Sequence, residues 1–105
     1  TPVRLIDTRP TPVPAGGTLE IPVAGEAGVP VGAKAVVANV TVVGSTVGGF
    51  VTAFPCGTWP GTASVNYSAA EVVGNEVIVK LSAAGSICVY AHTATNVVVD
   101  VAGYL

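Results

Sequence analysis

The segment KAVVANVTVV, residues 34–43, is the clearest indication of fold class in this 105-residue chain. Successive side chains of a β-strand point to opposite faces, so every second residue of the segment shares a face. One face carries only apolar side chains, those of Val36, Ala38, Val40 and Val42. The other face is mixed and carries Val37, Asn39, Thr41 and Val43. This alternation predicts a β-strand, the most strongly indicated one in the chain.

Outward from this strand, similar short runs separated by glycine and proline predict seven more strands. They cover residues 3–8, 18–23, 49–54, 62–67, 76–81, 86–91 and 95–104. The 22 Val and 11 Thr suit a pleated, half-buried surface because two heavy atoms on Cβ stiffen their side chains. Eight short strands without an amphipathic helix predict a single all-β domain over residues 1–105. We expect an antiparallel β-sandwich, with a closed β-barrel as the alternative.

The connections refine this expectation. Segments 10–17 and 24–33 are rich in proline and glycine and too long for hairpin turns. Such crossings can pass from one sheet to the other, which favours a Greek-key-like sandwich. Residues 68–75 are expected to form a turn or one helical turn. The last three strands are joined by SAAG and HTA, which are loops of hairpin length, so we expect these strands to pair as antiparallel neighbours.

Charge is sparse, with four Lys or Arg against six Asp or Glu and a net charge of −2. The chain therefore lacks the basic surface that nucleic acid or an anionic membrane would require. No apolar run reaches the roughly 18 residues of a membrane span. An uncharged surface suits neutral ligands or packing against neighbouring molecules. Because the chain starts at Thr1 without an initiator Met, we expect it to be excised from a larger secreted protein.

Two cysteines, Cys56 and Cys88, are separated by 32 positions. The chain has no Cys-x-x-Cys motif and one His, so a four-ligand zinc site cannot be built. The alternatives are a pair of buried free thiols and a disulfide, and we favour the disulfide. Such a bond would stabilise the fold by roughly 3–4 kcal/mol and would indicate an oxidising compartment.

A polar set near the two ends of the chain comprises Arg4, Asp7, Arg9 and Asp100. Asp100 stands in the most apolar predicted strand, where a lone buried carboxylate would be costly. We interpret the set as an ion pair that joins the first strand to the last. Arg9 is preferred over Arg4 as the partner of a covered Asp100, because Arg9 and Asp7 share a strand face. The alternative is a polar pocket for a sugar or a carboxylate.

Aromatic residues supply the candidate ligand-binding site, which we assign to Trp59, Tyr90, His92, Tyr67 and Asn66. Trp59 lies in the proline-braced segment PCGTWPG, where a rigid, exposed indole could stack on a sugar ring. It could equally fold down as a lid on the core, and Tyr90 could be part of the core. A Cys56–Cys88 bond would bring Trp59, Tyr90 and His92 together at one end of the sandwich, a usual location for binding loops.

Catalytic patterns are absent from the sequence. A Ser–His–Asp arrangement would have to use His92 and Asp100, but no Gly-x-Ser-x-Gly motif accompanies them. None of the six acidic residues has a pattern that marks a glycosidase pair or a calcium loop. We therefore expect no enzyme, no cofactor and no metal site, with a single calcium ion held by backbone carbonyls left open.

Five motifs in order resemble those of an accessory β-domain found in secreted actinobacterial proteins. They are Arg4–Arg9 (RLIDTR), Ala35–Thr41 (AVVANVT), Gly49–Gly57 (GFVTAFPCG), Ala63–Tyr67 (ASVNY) and Val99–Leu105 (VDVAGYL). The resemblance covers nearly the whole chain. It implies an extracellular accessory domain that sits beside catalytic domains in secreted hydrolases, or in tandem in surface proteins. It implies neither a particular ligand nor a catalytic residue.

Two functions remain open on the sequence alone. The first is a non-catalytic module, secreted or associated with the cell wall, that binds carbohydrate or a cell-wall polymer and tethers an attached domain to it. The second is a structural or adhesive spacer without a small ligand, which could self-associate into a homo-oligomer. Expected partners are a glycan or cell-surface polymer and neighbouring domains of the same polypeptide, but not nucleic acid.

Overall fold

The computed structural model describes residues 2–105 and contains eight β-strands. These are β1 (Val3–Asp7), β2 (Thr18–Pro22), β3 (Ala35–Val43), β4 (Gly49–Pro55), β5 (Val65–Tyr67), β6 (Val73–Lys80), β7 (Ser86–Ala91) and β8 (Asn96–Tyr104). The strands form two four-stranded sheets. Sheet I has the order β1-β8-β3-β6, and sheet II has the order β2-β7-β4-β5. The described residues contain no helix and no closed barrel, so the predicted β-sandwich is confirmed.

The strand order has a nested pattern in which the first strand pairs with the last. β1 pairs with β8, β2 with β7, β3 with β6, and β4 with β5, and every pair is antiparallel. Two further pairings, β3 with β8 and β4 with β7, roll this long hairpin into two sheets. The result is the eight-stranded jelly-roll topology, which consists of two Greek keys.

The expected pairing of the last three strands as neighbours is wrong. β6 and β8 belong to sheet I, whereas β7 belongs to sheet II, so both short loops cross between the sheets. Stacked sheets lie about 10 Å apart, and a loop of three or four residues can span that distance at roughly 3.3 Å per residue. A short loop therefore requires the chain to reverse, but it does not require the two strands to share a sheet.

The core lies between the inner faces of the two sheets. The four apolar positions of β3 that alternation predicted, Val36, Ala38, Val40 and Val42, are fully buried. Val97 and Val99 of β8 lie beside them on the same inner face of sheet I. Val51, Ile87 and Val89 pack on the inner face of sheet II. Each buried Val or Ile side chain stabilises the fold by about 1.5–3 kcal/mol.

The segment 68–75, predicted to be a turn or one helical turn, is a turn only in its first part. β6 begins at Val73, and Gly74 pairs with Thr41 of β3. A Cβ at position 74 would lie 2.6 Å from Thr41 Oγ1 and 3.1 Å from the Val40 carbonyl oxygen. Gly74 therefore marks a close approach of two strands, and not the end of one.

Candidate functional site

The outer face of sheet II carries four aromatic rings that take no part in the core. Phe50 projects from β4, Tyr90 from β7 and His92 from the residue after β7, while Trp59 belongs to the loop after β4. Val51, Val89 and Ala91 alternate with them and are completely buried on the inner face. We call Phe50, Trp59, Tyr90 and His92 the aromatic cluster.

The rings of the aromatic cluster contact one another. Phe50 stacks with His92 at a centroid distance of 4.8 Å and an interplanar angle of 9°. Trp59 stacks with Tyr90 at 4.6 Å and 27°, and Phe50 joins the two pairs at 5.9 Å from Trp59 and 6.1 Å from Tyr90. These distances lie in the range where aromatic pairs attract beyond simple burial. The cluster is therefore one continuous aromatic surface across two strands and a loop.

A disulfide and a hydrogen bond hold the loop that carries Trp59 against this face. Cys56 and Cys88 are bonded, with an S–S distance of 2.15 Å and a Cα–Cα distance of 4.8 Å, so the predicted disulfide is confirmed. The indole Nε1 of Trp59 donates to Thr52 Oγ1 at 3.1 Å, and Thr52 Oγ1 in turn donates to the Thr62 carbonyl. The disulfide is compatible with an extracellular or another oxidising compartment.

Trp59 matches neither sequence-based alternative completely. It does not enter the core between the sheets, because it contacts Thr52 and Tyr90 on the outer face of sheet II. It is not free-standing either, since it is 38% exposed and Thr52 beneath it is only 1% exposed. The indole is thus a fixed cover over the outer face, with part of its surface open to solvent.

The expected site at one end of the sandwich is wrong in its location, because the rings lie on the outer face of a sheet. Asn66 belongs to this face, since it stands opposite Phe50 in the pairing of β4 with β5. Tyr67 does not, because it is 6% exposed on the inner face and its hydroxyl contacts Thr93 Oγ1 at 2.8 Å and the Thr93 carbonyl at 3.1 Å. Tyr67 is therefore a core residue and not a ligand-binding one.

Polar groups border the aromatic cluster, and none of the four strands of sheet II carries a cationic side chain. Thr18 stands opposite Tyr90, and Glu20 stands opposite Cys88, both on the edge strand β2. The cations Arg4, Arg9, Lys34 and Lys80 lie outside the four strands of sheet II. The surface therefore combines aromatic rings with hydroxyl, amide and carboxylate groups, a combination suited to a neutral, hydroxyl-rich ligand.

The polar set near the chain ends lies on the outer face of sheet I. The predicted ion pair between the first and last strands is present, but Arg4 and not Arg9 binds Asp100. Arg4 binds Asp100, with 2.5 Å between Nε and Oδ1, and also reaches Asp7, with 3.2 Å between Nη1 and Oδ2. Arg9 binds Asp7 alone, at 2.6 Å. The pairing of β1 with β8 contains a bulge between Arg4 and Ile6. The extra residue brings Arg4 and Asp7 to the same face, which strict alternation would forbid.

The face that carries Asp100 is only partly covered. The Asp100 side chain is 26% exposed, as is that of Asp7, and Arg4 is 52% exposed. The hydrogen bond from the Arg9 side chain, together with the weaker effect of the bond from the Arg9 backbone N–H, lowers the pKa of Asp7 from 3.8 to about 2. The same contact raises the pKa of Arg9. These residues stabilise the edge of sheet I by solvent-exposed ion pairs, each of which is typically weak.

A cleft lies beside Arg4, where the sequence had allowed a polar pocket as the alternative. This cleft of about 290 Å³ lies between β1 and β2, and its other walls include Ile21 and Glu26. The Arg4 guanidinium is already engaged by Asp7 and Asp100. The cleft is separate from the aromatic cluster.

The residues considered for catalysis or metal binding are kept apart. His92 lies on the outer face of sheet II and Asp100 on the outer face of sheet I, so the whole sandwich separates them. Across residues 2–105, no group of three His, Cys, Asp or Glu side chains is placed to hold a metal ion. In the same part of the chain, no helix is long and apolar enough to cross a bilayer.

Phe50 and Thr52 were not predicted as site residues from the sequence. Their signal was present, because both faces of the strand GFVTAF are rich in apolar side chains, with Phe50 and Phe54 on one face and Val51 on the other. Phe54 is 4% exposed although it points away from the core. A strand that is apolar on both faces needs cover on both, and here the loop after Cys56 covers the outer one.

Comparisons with protein-family models, with curated proteins and with solved structures find no match to this chain.

Proposed function

We propose that this domain is a non-catalytic carbohydrate-binding module whose binding surface is the outer face of sheet II. The observation that carries the proposal is the aromatic cluster, in which four rings lie on the outside of a sheet. Rings that were needed only for stability would be expected in the core, where they would bury more area. An exposed aromatic surface with a polar border is a common way to bind a sugar ring, because C–H groups stack on the ring faces while hydroxyls bond at the rim.

Preorganisation supports the same proposal. The disulfide and the Trp59–Thr52 hydrogen bond hold the indole in one place before any ligand arrives. A ligand then does not have to order the loop, so less of the contact free energy is lost on binding. Asn66, Thr18 and Glu20 lie at the border of the cluster, where their side chains would bond the hydroxyl groups of a sugar.

The resemblance to accessory domains of secreted proteins agrees with this role. A module of this kind would be extracellular, in solution or at the cell wall, and would hold a neighbouring domain of the same polypeptide close to a polymer. The gain would come from raised local concentration and not from chemistry on the sugar.

The first experiment is a glycan array followed by sedimentation with insoluble cell-wall and plant polysaccharides. Trp59→Ala should abolish retention on any polymer that retains the native domain. Tyr104→Ala is the matched control, because Tyr104 is an aromatic residue, 52% exposed, outside the aromatic cluster. Equal loss in both variants, or retention by Trp59→Ala at the native level, would contradict the proposal.

A structural or adhesive spacer is the second candidate, and one observation favours it. β6 is an edge strand of sheet I and has no partner strand on the side away from β3. Its residue Ile78 is 66% exposed. A native domain that binds no glycan on the array but self-associates through this edge would support the spacer role.

A further inference from the structure

The two sheets have four edge strands, and three of these are poorly suited to pairing with another chain. β1 is interrupted by the bulge between Arg4 and Ile6, β2 ends in Pro22, and β5 has three residues. Bulges, prolines and short strands are devices that prevent edge-to-edge association. These three edges are therefore protected.

The fourth edge, β6, lacks those devices. It has eight residues, contains no proline, and pairs with β3 through an unbroken register from Val73 to Lys80. It lies at the end of sheet I, so the backbone groups that face away from β3 have no partner strand. Outward-facing Ile78 is 66% exposed at the middle of the segment Glu76–Lys80.

The sequence of this edge, Glu76-Val-Ile-Val-Lys80, is complementary to itself. When two copies pair antiparallel about Ile78, Glu76 of one copy stands opposite Lys80 of the other, and the reverse pair forms as well. The three residues Glu76, Ile78 and Lys80 share the outer face of sheet I, so the opposite charges lie side by side. Shifting the centre of pairing to Val77 or Val79 removes both charge pairs. In-register parallel pairing would place like charges together.

The two charges have no oppositely charged partner among residues 2–105 of one copy. Across the part of the chain that the structure describes, neither Glu76 nor Lys80 takes part in an ion pair. Charged side chains on an edge normally discourage association with an arbitrary strand, since a neutral or like-charged partner leaves them uncompensated. A second copy of the same strand compensates both charges.

From this edge we infer that the domain forms a symmetric homodimer by antiparallel pairing of β6 with β6 of a second copy, centred on Ile78. The two copies of sheet I then form one eight-stranded sheet around a twofold axis perpendicular to it. Because this axis keeps the two faces of the sheet distinct, both copies of sheet II lie on the same side of the dimer. If the proposed function holds, the two aromatic clusters face the same way and can engage one polymer together; the dimer itself does not depend on that function.

Sedimentation equilibrium from micromolar to millimolar concentration tests the inference directly. The contact involves one short strand from each copy, so we expect a weak dimer whose fraction rises with concentration and falls with salt. Glu76→Lys and Lys80→Glu should each weaken self-association about tenfold, because each replaces two attractive pairs by two repulsive ones. The double variant Glu76→Lys/Lys80→Glu restores both pairs and should dimerise like the native domain.

Glu20→Lys is the matched control, since it makes the same charge change on the edge strand β2 and should leave self-association unchanged. Thermal unfolding of each variant separates a loss of the dimer from a loss of the fold. A native domain that is monomeric at millimolar concentration would overturn the inference. So would a dimer that is insensitive to the single charge reversals, or one that the double variant fails to restore.

Discussion

Trp59 donates its indole N–H to Thr52 Oγ1 at 3.1 Å, and this bond closes a loop over the outer face of sheet II. Thr52 points away from the core, yet it is only 1% exposed. The bond therefore joins the fold to the candidate site, because the same indole covers the sheet and presents an aromatic surface to solvent.

Replacing Thr52 by Val should release the indole without changing the shape of the side chain beneath it. We expect the free energy of unfolding to fall by about 1–3 kcal/mol, because the substitution removes both the bond from the indole and the bond to the Thr62 carbonyl. The fluorescence anisotropy of Trp59, the one Trp in the chain, should fall as the loop gains freedom. Thr18→Val, an exposed threonine on β2, is the control and should change stability by less than about 0.5 kcal/mol. Identical behaviour of the two variants would show that the bond is not formed in solution.

Removal of the disulfide should affect both the fold and the aromatic cluster. We expect Cys56→Ala/Cys88→Ala to lose roughly 3–4 kcal/mol of unfolding free energy in a denaturant titration, because the bond closes a loop of 32 positions. The near-ultraviolet circular dichroism should weaken as well, since Trp59 and Tyr90 lose their fixed stacking. A stability loss below about 1 kcal/mol with an unchanged spectrum would contradict the assigned role of the bond.

The sequence predicted the layers of this fold well and its connections poorly. Alternation in the segment 34–43 identified β3 and its buried face, because burial on one side leaves a direct mark on every second residue. The partner of a strand leaves no such mark. The loop between β7 and β8 has hairpin length, yet it connects different sheets, because β7 and β8 each lie at a central position between two other strands.

The candidate site was predictable in its residues more than in its location. Trp59 was identified from its rigid proline-flanked setting, and Tyr90 and His92 from their shared face with Cys88. The alternation rule failed where the strand was irregular. A single extra residue in β1 after Arg4 reverses the faces of the later residues of the strand, and nothing in the local sequence RLIDTR specifies that bulge.

The ion pair between Arg4 and Asp100 should be real but weak. A double-mutant cycle with Arg4→Gln and Asp100→Asn should give a coupling energy of about 0.5–1 kcal/mol, typical of solvent-exposed pairs. The same cycle with Arg9→Gln in place of Arg4→Gln should give a coupling near zero, since Arg9 contacts Asp7 and not Asp100. A stronger coupling of Asp100 to Arg9 than to Arg4 would refute the observed pairing.

Acid should weaken the domain through Asp7. Arg9 lowers the pKa of Asp7 from 3.8 to about 2, so the ionised carboxylate is favoured in the folded state. Its stabilisation is complete above the unfolded-state pKa and is lost as the pH falls towards 2. The difference in melting temperature between the native domain and Asp7→Asn should therefore be constant above about pH 5 and shrink below about pH 4.

Arg9→Gln provides the control for this pH dependence. Without the guanidinium, the pKa read from the carboxyl carbon signal of Asp7 in nuclear magnetic resonance spectra should rise from about 2 towards 3.8. It should stay below 3.8, because the bond from the backbone N–H of residue 9 and the charge of Arg4 remain. An Asp7 titration that is identical in the two proteins would mean that Arg9 does not bind this carboxylate in solution.

Titration of the ¹⁵N-labelled domain with the best glycan from the array, with chemical-shift mapping at each step, is the decisive test of glycan binding by the aromatic cluster. The indole N–H of Trp59 gives one resolved signal because the chain has one Trp. We predict saturable shifts of this signal and of the amides of Phe50, Asn66, Tyr90 and His92, while the amides of Asn39 and Asp100 on the outer face of sheet I stay in place. Shifts that cluster on sheet I or in the cleft between β1 and β2, with the Trp59 signal unmoved, would show that the aromatic cluster is not the binding surface.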